Sequence, residues 1–315
     1  MTEYTYPIIF GVIVGTLSRI LMLRTDYRQY PTYLHGRVIH ISLGFIAAAL
    51  GTVAVPAIME KEFTAVTFLT IAASQFREVR NMERNTLTEL DAFEMVPRGK
   101  TYIEGIAVAF EGRNYLVILT SFMGTLAYLV FNIWIAVIVV ILCFIIIKKL
   151  MSGSNLKEIV HIEHCPIHFE GAGLYVDDIY IMNIGLPERQ QEILKYGMGF
   201  VLTPKNFDIR TTIANFGQRQ AILHDVSVSL GVFHDSGTPA LVPLIKRDLD
   251  TGRIGVFVLP QDRDIDKAIT TIGAVPVLEN AIRKPSESKA SKKEGTPHAN
   301  RESSSGRYHN EQSKD

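Results

Sequence analysis

The residue pattern predicts an α-helical polytopic membrane bundle of about five transmembrane helices, followed by a soluble mixed α/β domain and a disordered tail. Three observations carry that class. Up to about residue 149 the chain holds several long uncharged apolar runs, whereas from Ser152 onward charged, apolar and Gly/Pro residues alternate as in water-soluble domains. The mean hydropathy of the 315-residue chain is +0.17 although its end is visibly polar. The counts of lysine and arginine, finally, alternate between high and low from one connection to the next along the apolar runs.

The spans follow from length, since a hydrocarbon core of about 30 Å takes roughly 20 apolar residues of helix. Pro7–Leu23 is the first; it is too long for a secretory apolar core, carries Arg19 near its end, and has no small-residue cleavage site after it, so it reads as a retained anchor. Val38–Met59 is the second. Phe63–Phe76 is shorter and interrupted by Thr64, Thr67, Thr70 and Ser74, and its crossing rests on the charge pattern. Asn114–Ile147 holds no charged residue. As one helix it would reach about 50 Å, so a hairpin turning at Phe131-Asn132 is expected, with helices near 114–130 and 132–147.

Residues 1–6 carry no Lys or Arg, 24–37 carry Arg24, Arg28 and Arg37, and 60–62 carry only Lys61. Residues 77–100 then carry Arg77, Arg80, Arg84, Arg98 and Lys100, the hairpin turn carries none, and Lys148 and Lys149 follow. Short basic loops stay in the cytoplasm, which puts the N-terminus outside and the soluble half inside. Only Cys143, in an apolar run, and Cys165, in the polar half, are present, so no disulfide framework is expected and Cys165 is a reduced thiol. With 32 Lys+Arg against 32 Asp+Glu there is no basic footprint for nucleic acid.

Within the bundle, Gly11 and Gly15 form a GxxxG, Gly44 and Gly51 lie two turns apart, and Thr64, Thr67, Thr70 and Ser74 fall on one helical face. These are expected helix-packing surfaces, because close approach and interhelical hydrogen bonds assemble helices in lipid; a polar substrate path is the alternative. No Asp or Glu occurs within the spans, and Arg19 and His40, both near cytoplasmic ends, read as snorkelling side chains.

After the third span, Arg77–Leu87 carries mixed charges three and four apart and predicts a solvated helical extension. Pro97-Arg98-Gly99-Lys100 breaks it. Thr101–Phe110 is too short to span and is expected as an interfacial or re-entrant element, with Glu104 facing a basic partner such as Arg98, or water. Here the hexapeptide Tyr102-Ile103-Glu104-Gly105-Ile106-Ala107 stands literally, and the chain resembles the YIEGIA family of endospore-forming Gram-positive bacteria, over about residues 5–280. The resemblance implies an integral membrane component associated with sporulation and spore-envelope assembly. It also implies a small partner described as a capping complex subunit, and it brings no catalytic residue. The hexapeptide is the expected partner or ligand contact; for Glu104 and Gly105 a structural turn with a satisfied carboxylate is the other reading.

Ser152-Gly153-Ser154-Asn155 is expected as a flexible hinge, residues 152–284 as the cytoplasmic domain and Pro285–Asp315 as a disordered tail. Strands are predicted at Glu158–Glu163, Leu174–Met182, Val226–Val232, Ile254–Leu259 and Val275–Leu278, and helices at Glu188–Tyr196, Ile209–His224 and Asp264–Ile272. Asp250-Thr251-Gly252 predicts a hairpin turn between Leu241–Arg247 and Ile254–Leu259, hence antiparallel pairing.

Chemical candidates are weak. His161, Glu163, His164, Cys165 and His168 are dense but lack a second ligand pair, so no metal site is assigned. His224-Asp225 and His234-Asp235 resemble a base with its orienting carboxylate, yet Ser227, Ser229 and Ser236 have no nucleophile-elbow context. Gly171-Ala172-Gly173 is half a dinucleotide fingerprint followed by strand, and Asp177-Asp178 in a strand would point to opposite faces and stay solvated. The functional expectation is a structural or assembly factor of the membrane, without cofactor, docking a partner through its cytoplasmic face. The alternatives are a transporter or channel subunit and a membrane-tethered enzyme.

Overall fold

In the computed structural model, which describes residues 3–29, 34–151, 153–233 and 243–287, five long helices come first: α1 (Thr5–Gln29), α2 (Leu34–Met59), α3 (Phe63–Asp91), α4 (Lys100–Val130) and α5 (Ile133–Leu150). Thr5–Leu23, Gly36–Met59 and Ile133–Leu150 are long and apolar enough to cross a membrane. The chain is thus a membrane-associated helical bundle followed by a part built on antiparallel sheets.

The expected helical extension is the second half of α3, which runs without a break from Phe63 to Asp91. Thr101–Phe110 differs from expectation: it is neither re-entrant nor a loop but the opening turns of α4, a single helix of 31 residues. The reason is local. Gly99, at φ 82 with open space around it, turns the chain, and the Asp91 carboxylate accepts the backbone N–H groups of Arg98 and Gly99, both at 2.8 Å. From Lys100 on no residue breaks the helix until Phe131, and Asn132 accepts from the Ile135 N–H at 3.0 Å to start α5.

α4 is the centre of the bundle, packing on α1, α2, α3 and α5. The glycine seam lies here. A Cβ on Gly15 would stand 2.5 Å from Ala48 Cβ and 2.9 Å from Ser121 Cβ, and one on Gly11 would collide with the Thr52 and Thr125 hydroxyls. Gly44 and Gly51 meet the Arg19 side chain and the Ile118 carbonyl in the same way. The expected seam on α3 is a correction. Thr64, Thr67, Thr70 and Ser74 are all exposed, and Thr67, Thr70 and Ser74 hydrogen-bond back to the carbonyls of Phe63, Val66 and Ile71. The buried hydroxyls are instead Ser18, Thr52, Thr120, Ser121 and Thr125.

The C-terminal part begins with the turn α6 (Leu156–Ile159) and strand β1 (Val160–Cys165). A small meander follows, β2 (Ile167–Glu170), β3 (Gly173–Val176) and β4 (Ile179–Asn183), then α7 (Pro187–Tyr196) and β5 (Met198–Pro204). Helices α8 (Phe207–Ala214) and α9 (Phe216–Leu230), strands β6 (Leu244–Arg247) and β7 (Ile254–Val258), and α10 (Ile265–Ala274) complete it. The larger sheet has the order β1-β5-β7-β6 and is antiparallel throughout; β2-β3-β4 form the smaller one. Period-two alternation sorts the larger sheet's faces. Phe200, Leu202, Ile254 and Val256 face the core shared with α9 and α10, whereas Val201 and Phe257 face the smaller sheet. Gly199 and Gly255 on that second face let Val176 and Ile179 approach closely.

Several local expectations are corrected. Leu174–Met182 is not one strand but a hairpin, with Asp177 at φ 55 in its turn, a conformation aspartate tolerates. Val226–Val232 is not a strand: α9 continues to Leu230 and ends at Gly231, φ 71. Its Val-Ser-Val-Ser alternation also satisfies the helical period, since Ile222, Val226 and Leu230 are buried while Val228 is exposed. Ile209–His224 is divided by Asn215, whose side chain caps α9 through the Gln218 N–H at 3.1 Å. Glu158 and Ile159 belong to α6 rather than to a strand.

Val275–Leu278 makes only a bridge at Pro276, because the buried Gln218 amide takes the strand partner's place, donating to the Pro276 carbonyl at 3.1 Å and accepting from the Leu278 N–H at 2.8 Å. The same segment ties down the expected hinge: the Ser154 carbonyl accepts from Val277 N–H at 3.0 Å, and Leu156 N–H donates to the Val275 carbonyl at 3.0 Å. At the expected tail, Pro285–Glu287 is a 3-10 turn held by Ser286 on the Asp208 carboxylate, which these bonds keep below its usual range. The rest of the tail, Ser152, and His234-Asp235 with Ser236 lie outside the described residues.

Gly15→Leu is therefore expected to lower the stability of the detergent-solubilised protein by about 1–3 kcal/mol, the usual cost of overpacking. Gly112→Ala, in the same helix system but facing open space, should raise it by up to about 1 kcal/mol. Thermal unfolding of the two variants side by side checks both.

Candidate functional site

The first turns of α4 meet the C-terminal part. Tyr102, Ile103 and Ile106 are buried, and with Leu87 of α3 and Val96 of the α3–α4 loop they belong to the same hydrophobic core as Phe200, Ile222 and Ile272. One continuous core thus passes from the bundle into the sheet domain. α4 crosses α9 at Gly217, where a Cβ would stand 2.9 Å from the Tyr102 nitrogen, and it crosses the Glu279–Ala281 turn where Asn280 fills the space beside Gly105. Both crossings place a backbone where no side chain fits. Ala107 is fully buried as well.

Charged contacts fix the register of the junction. Arg98 pairs with Asp225 of α9 at 3.4 Å and lies over the Tyr102 ring, 5.6 Å from its centroid. Burial pushes the Asp225 carboxyl up, against the pull of Arg98, and pushes the Tyr102 hydroxyl up. Arg113, one of the buried charges, reaches Glu279 at 3.1 Å. His224 Nδ1 lies 2.7 Å from the Val96 carbonyl; a carbonyl only accepts, so Nδ1 carries the proton. The pair His224-Asp225 therefore serves the junction: its members point to Val96 and Arg98, and Ser227 donates to the Leu223 carbonyl.

Within the hexapeptide only Glu104 looks outward. Glu104 does not face Arg98. It stands between Arg80 and Arg84 of α3, 3.6 Å from each, with its side chain 42% exposed. Arg80 also holds Glu111 at 2.7 Å. A polar cleft of about 530 Å3 opens beside it, lined by Arg84, Asn85, Thr88, Glu89, Lys100 and Glu104.

Arg19 and His40 differ from the snorkelling side chains expected near the span ends. Both are buried rather than snorkelling: the Arg19 guanidinium donates to His40 Nδ1 at 3.3 Å and sits 5.0 Å from the Phe110 centroid. Since a guanidinium has no acceptor, that His40 nitrogen is unprotonated. Glu83 of α3 stands near the same guanidinium, and burial pushes its carboxyl up while Arg19 pulls it down. The spans' lack of Asp and Glu concealed this cluster, because its carboxylate comes from the extension of α3.

The histidine-rich stretch does not converge. On β1, Ile162 packs toward the α9–α10 core and Cys165 toward the smaller sheet; His164 meets the Phe200 ring edge-on at 5.6 Å, and His168 on β2 stacks on Tyr175 at 5.3 Å. Among the described residues no group of three or more His, Cys, Asp or Glu side chains could hold a metal ion. Cys143 and Cys165 are both free thiols, and burial raises the Cys165 thiol. Asp177 and Asp178 are turn carboxylates that share Arg253, Asp177 at 3.3 Å.

The match to the family described as "YIEGIA protein" covers residues 7–288, taking in the bundle, the motif helix and the sheet domain. The chain belongs to the YIEGIA family. A Bacillus subtilis (strain 168) protein described as "Uncharacterized protein YphB" is 62% identical over 287 residues, which cover 91% of this chain and 97% of that one. No solved structure matches the chain. The hexapeptide that marks this YIEGIA chain is thus the stretch that joins its two parts.

Ile103→Ala is expected to cost about 2–5 kcal/mol, as for a buried aliphatic side chain, and to make the α3–α4 loop a site of limited proteolysis. Glu104→Ala, which removes partly exposed ion pairs, should change stability by less than about 1 kcal/mol. Proteolysis time courses on the full chain, read with unfolding curves, check the contrast.

Proposed function

We propose that this YIEGIA-family chain is an integral membrane structural or assembly factor of sporulating cells, which holds its sheet domain in a fixed pose on the cytoplasmic face and docks a small protein subunit there. The continuous core at Tyr102, Ile103 and Ile106 carries the reading. A domain fused to its anchor through a shared core and two ion pairs is suited to presenting a surface, whereas a tether would leave it free to move. The polar cleft beside Glu104 supplies the partner contact, since it is the outward side of a motif otherwise buried. The sporulation role draws on the family resemblance and on the Bacillus subtilis relative.

The bundle crosses the membrane five times in this reading, N-terminus outside. Ile39, Leu87 and Tyr102 line one cavity, so the start of α2, the end of α3 and the start of α4 lie together, while Tyr4 and Glu60 are hydrogen-bonded at the far end. The exposed Phe68 and Ile71 of α3 and Leu119 and Met123 of α4 extend the apolar belt of α1, α2 and α5. Arginine and lysine sort to the domain's side. The close α1–α2–α4 packing at Gly11, Gly15 and Gly51 weighs against a solute path inside one chain.

A reporter fused after Lys149 is expected on the cytoplasmic side; its exposure outside the cell, or digestion of residues 153–283 by protease added to intact protoplasts, would overturn the topology. Crosslinking pull-down during spore development should recover a small protein partner with wild type and lose it with Glu104→Ala. An unchanged partner set would discard the Glu104 contact.

A further inference from the structure

A cavity of about 680 Å3 lies between the cytoplasmic ends of α2, α3 and α4. Its volume is in the range of small-molecule sites. Its wall is apolar on the membrane side, where Ile39, Leu87, Ile103 and Ile106 contribute. Ile39 belongs to the apolar segment Gly36–Met59, so this wall is continuous with the surface that α2 offers to lipid hydrocarbon. The other side carries charges of both signs: Glu83 and Glu94, and Arg98.

Two of these charges are incompletely matched by protein. Glu83 is only 8% exposed and accepts no hydrogen bond from any described residue, and Arg19 acts on it only through space. Arg98 spends one end nitrogen, Nη2, on Asp225, and its other end nitrogen, Nη1, has no hydrogen-bond partner among the described residues. Asp91, which also lines the cavity, is occupied by the Arg98 and Gly99 N–H groups. A carboxylate this buried is costly to leave without a donor, and the free end of Arg98 in the same lining is open to an acceptor. What answers both, at the edge of the hydrocarbon, is a zwitterion with an apolar body.

We propose that this cavity binds the head group of a membrane phospholipid bearing a primary ammonium, with the ammonium on Glu83 and Glu94, the phosphate on the Nη1 end of Arg98 and the start of the chains on Ile39, Ile103 and Ile106. An anionic lipid places negative charge against two carboxylates. A choline lipid keeps the positive charge but has no N–H to give Glu83. The inference rests on α2 as a membrane span, and the reporter fusions test that separately, because lipid selectivity is read on protein already inserted in vesicles.

The full chain is reconstituted in vesicles, and spin-labelled phosphatidylethanolamine, phosphatidylglycerol and phosphatidylcholine are compared for the motionally restricted spectral component. Wild type should favour the ethanolamine lipid over both others by about tenfold in association constant, the size of one charge-assisted hydrogen bond. Glu83→Gln should abolish that preference. So should Leu90→Trp, which fills the cavity from a position that is 44% exposed in the wild type and so tolerates a larger side chain. Glu104→Gln, outside the cavity, should keep it. Equal association of the three lipids with wild type overturns the proposal, as does a preference that survives Glu83→Gln or Leu90→Trp.

Discussion

The burial of the first turns of α4 against α9 is the constraint on which the remainder of this structure depends. Apolar area removed from water stabilises without regard to direction, so Tyr102, Ile103 and Ile106 alone would hold the two parts together but not in one pose. Direction comes from the small residues and charges around them. Gly105 admits Asn280, Gly217 admits the Tyr102 backbone, and Arg98 and Arg113 each reach one carboxylate of the domain. The raised Asp225 carboxyl shows that burial opposes its charge even with Arg98 beside it. Pairs of this kind contribute little net stability and act mainly by penalising any other register.

The bundle follows a different rule, since lipid supplies no hydrophobic drive between helices. Its interior is close-packed through glycine, alanine and serine, and most of the buried hydroxyls return to their own helix: Ser18 to Gly15, Thr120 to Leu116, Ser121 to Val117 and Thr125 to Ser121. Arg19 would be expensive against lipid. It is tolerated because protein encloses it, with His40 as acceptor, the Phe110 face beneath it and Glu83 across from it. One guanidinium thereby links α1, α2, α3 and α4 at the end that meets the domain.

In the domain the same division of labour recurs. Two glycines on the inner face of the larger sheet set how close the smaller sheet lies, and Arg253 draws the Asp177-Asp178 turn toward the loop before β7. Gln218 substitutes for a missing strand and so seats Val275–Leu278 under α9. From that segment the chain passes directly to Glu279 and Asn280, which touch α4. The interior hydrogen bonds of one buried amide therefore help position the contacts of the membrane junction.

Composition and local pattern were enough to separate the apolar helical half from the sheet-bearing half, to set the hairpin at Phe131-Asn132, to continue α3 past its apolar part, and to find the Asp250–Gly252 turn. All of these depend on a residue and its near neighbours in the chain. The role of the hexapeptide was not legible, because Tyr-Ile-Glu-Gly-Ile-Ala is apolar enough to be interfacial and polar enough to be a loop; only α9 and Asn280, more than a hundred residues later, turn its apolar side inward. The same holds for Val226–Leu230, whose alternation fits a strand and a helix equally until α4 packs on one side, and for Arg19, whose acceptor and counter-charge come from other helices. Sequence by itself determined which segments avoid water. Tertiary structure decided what each of them avoids it with, since burial is a property of partners brought together from distant positions and no local period records who those partners are.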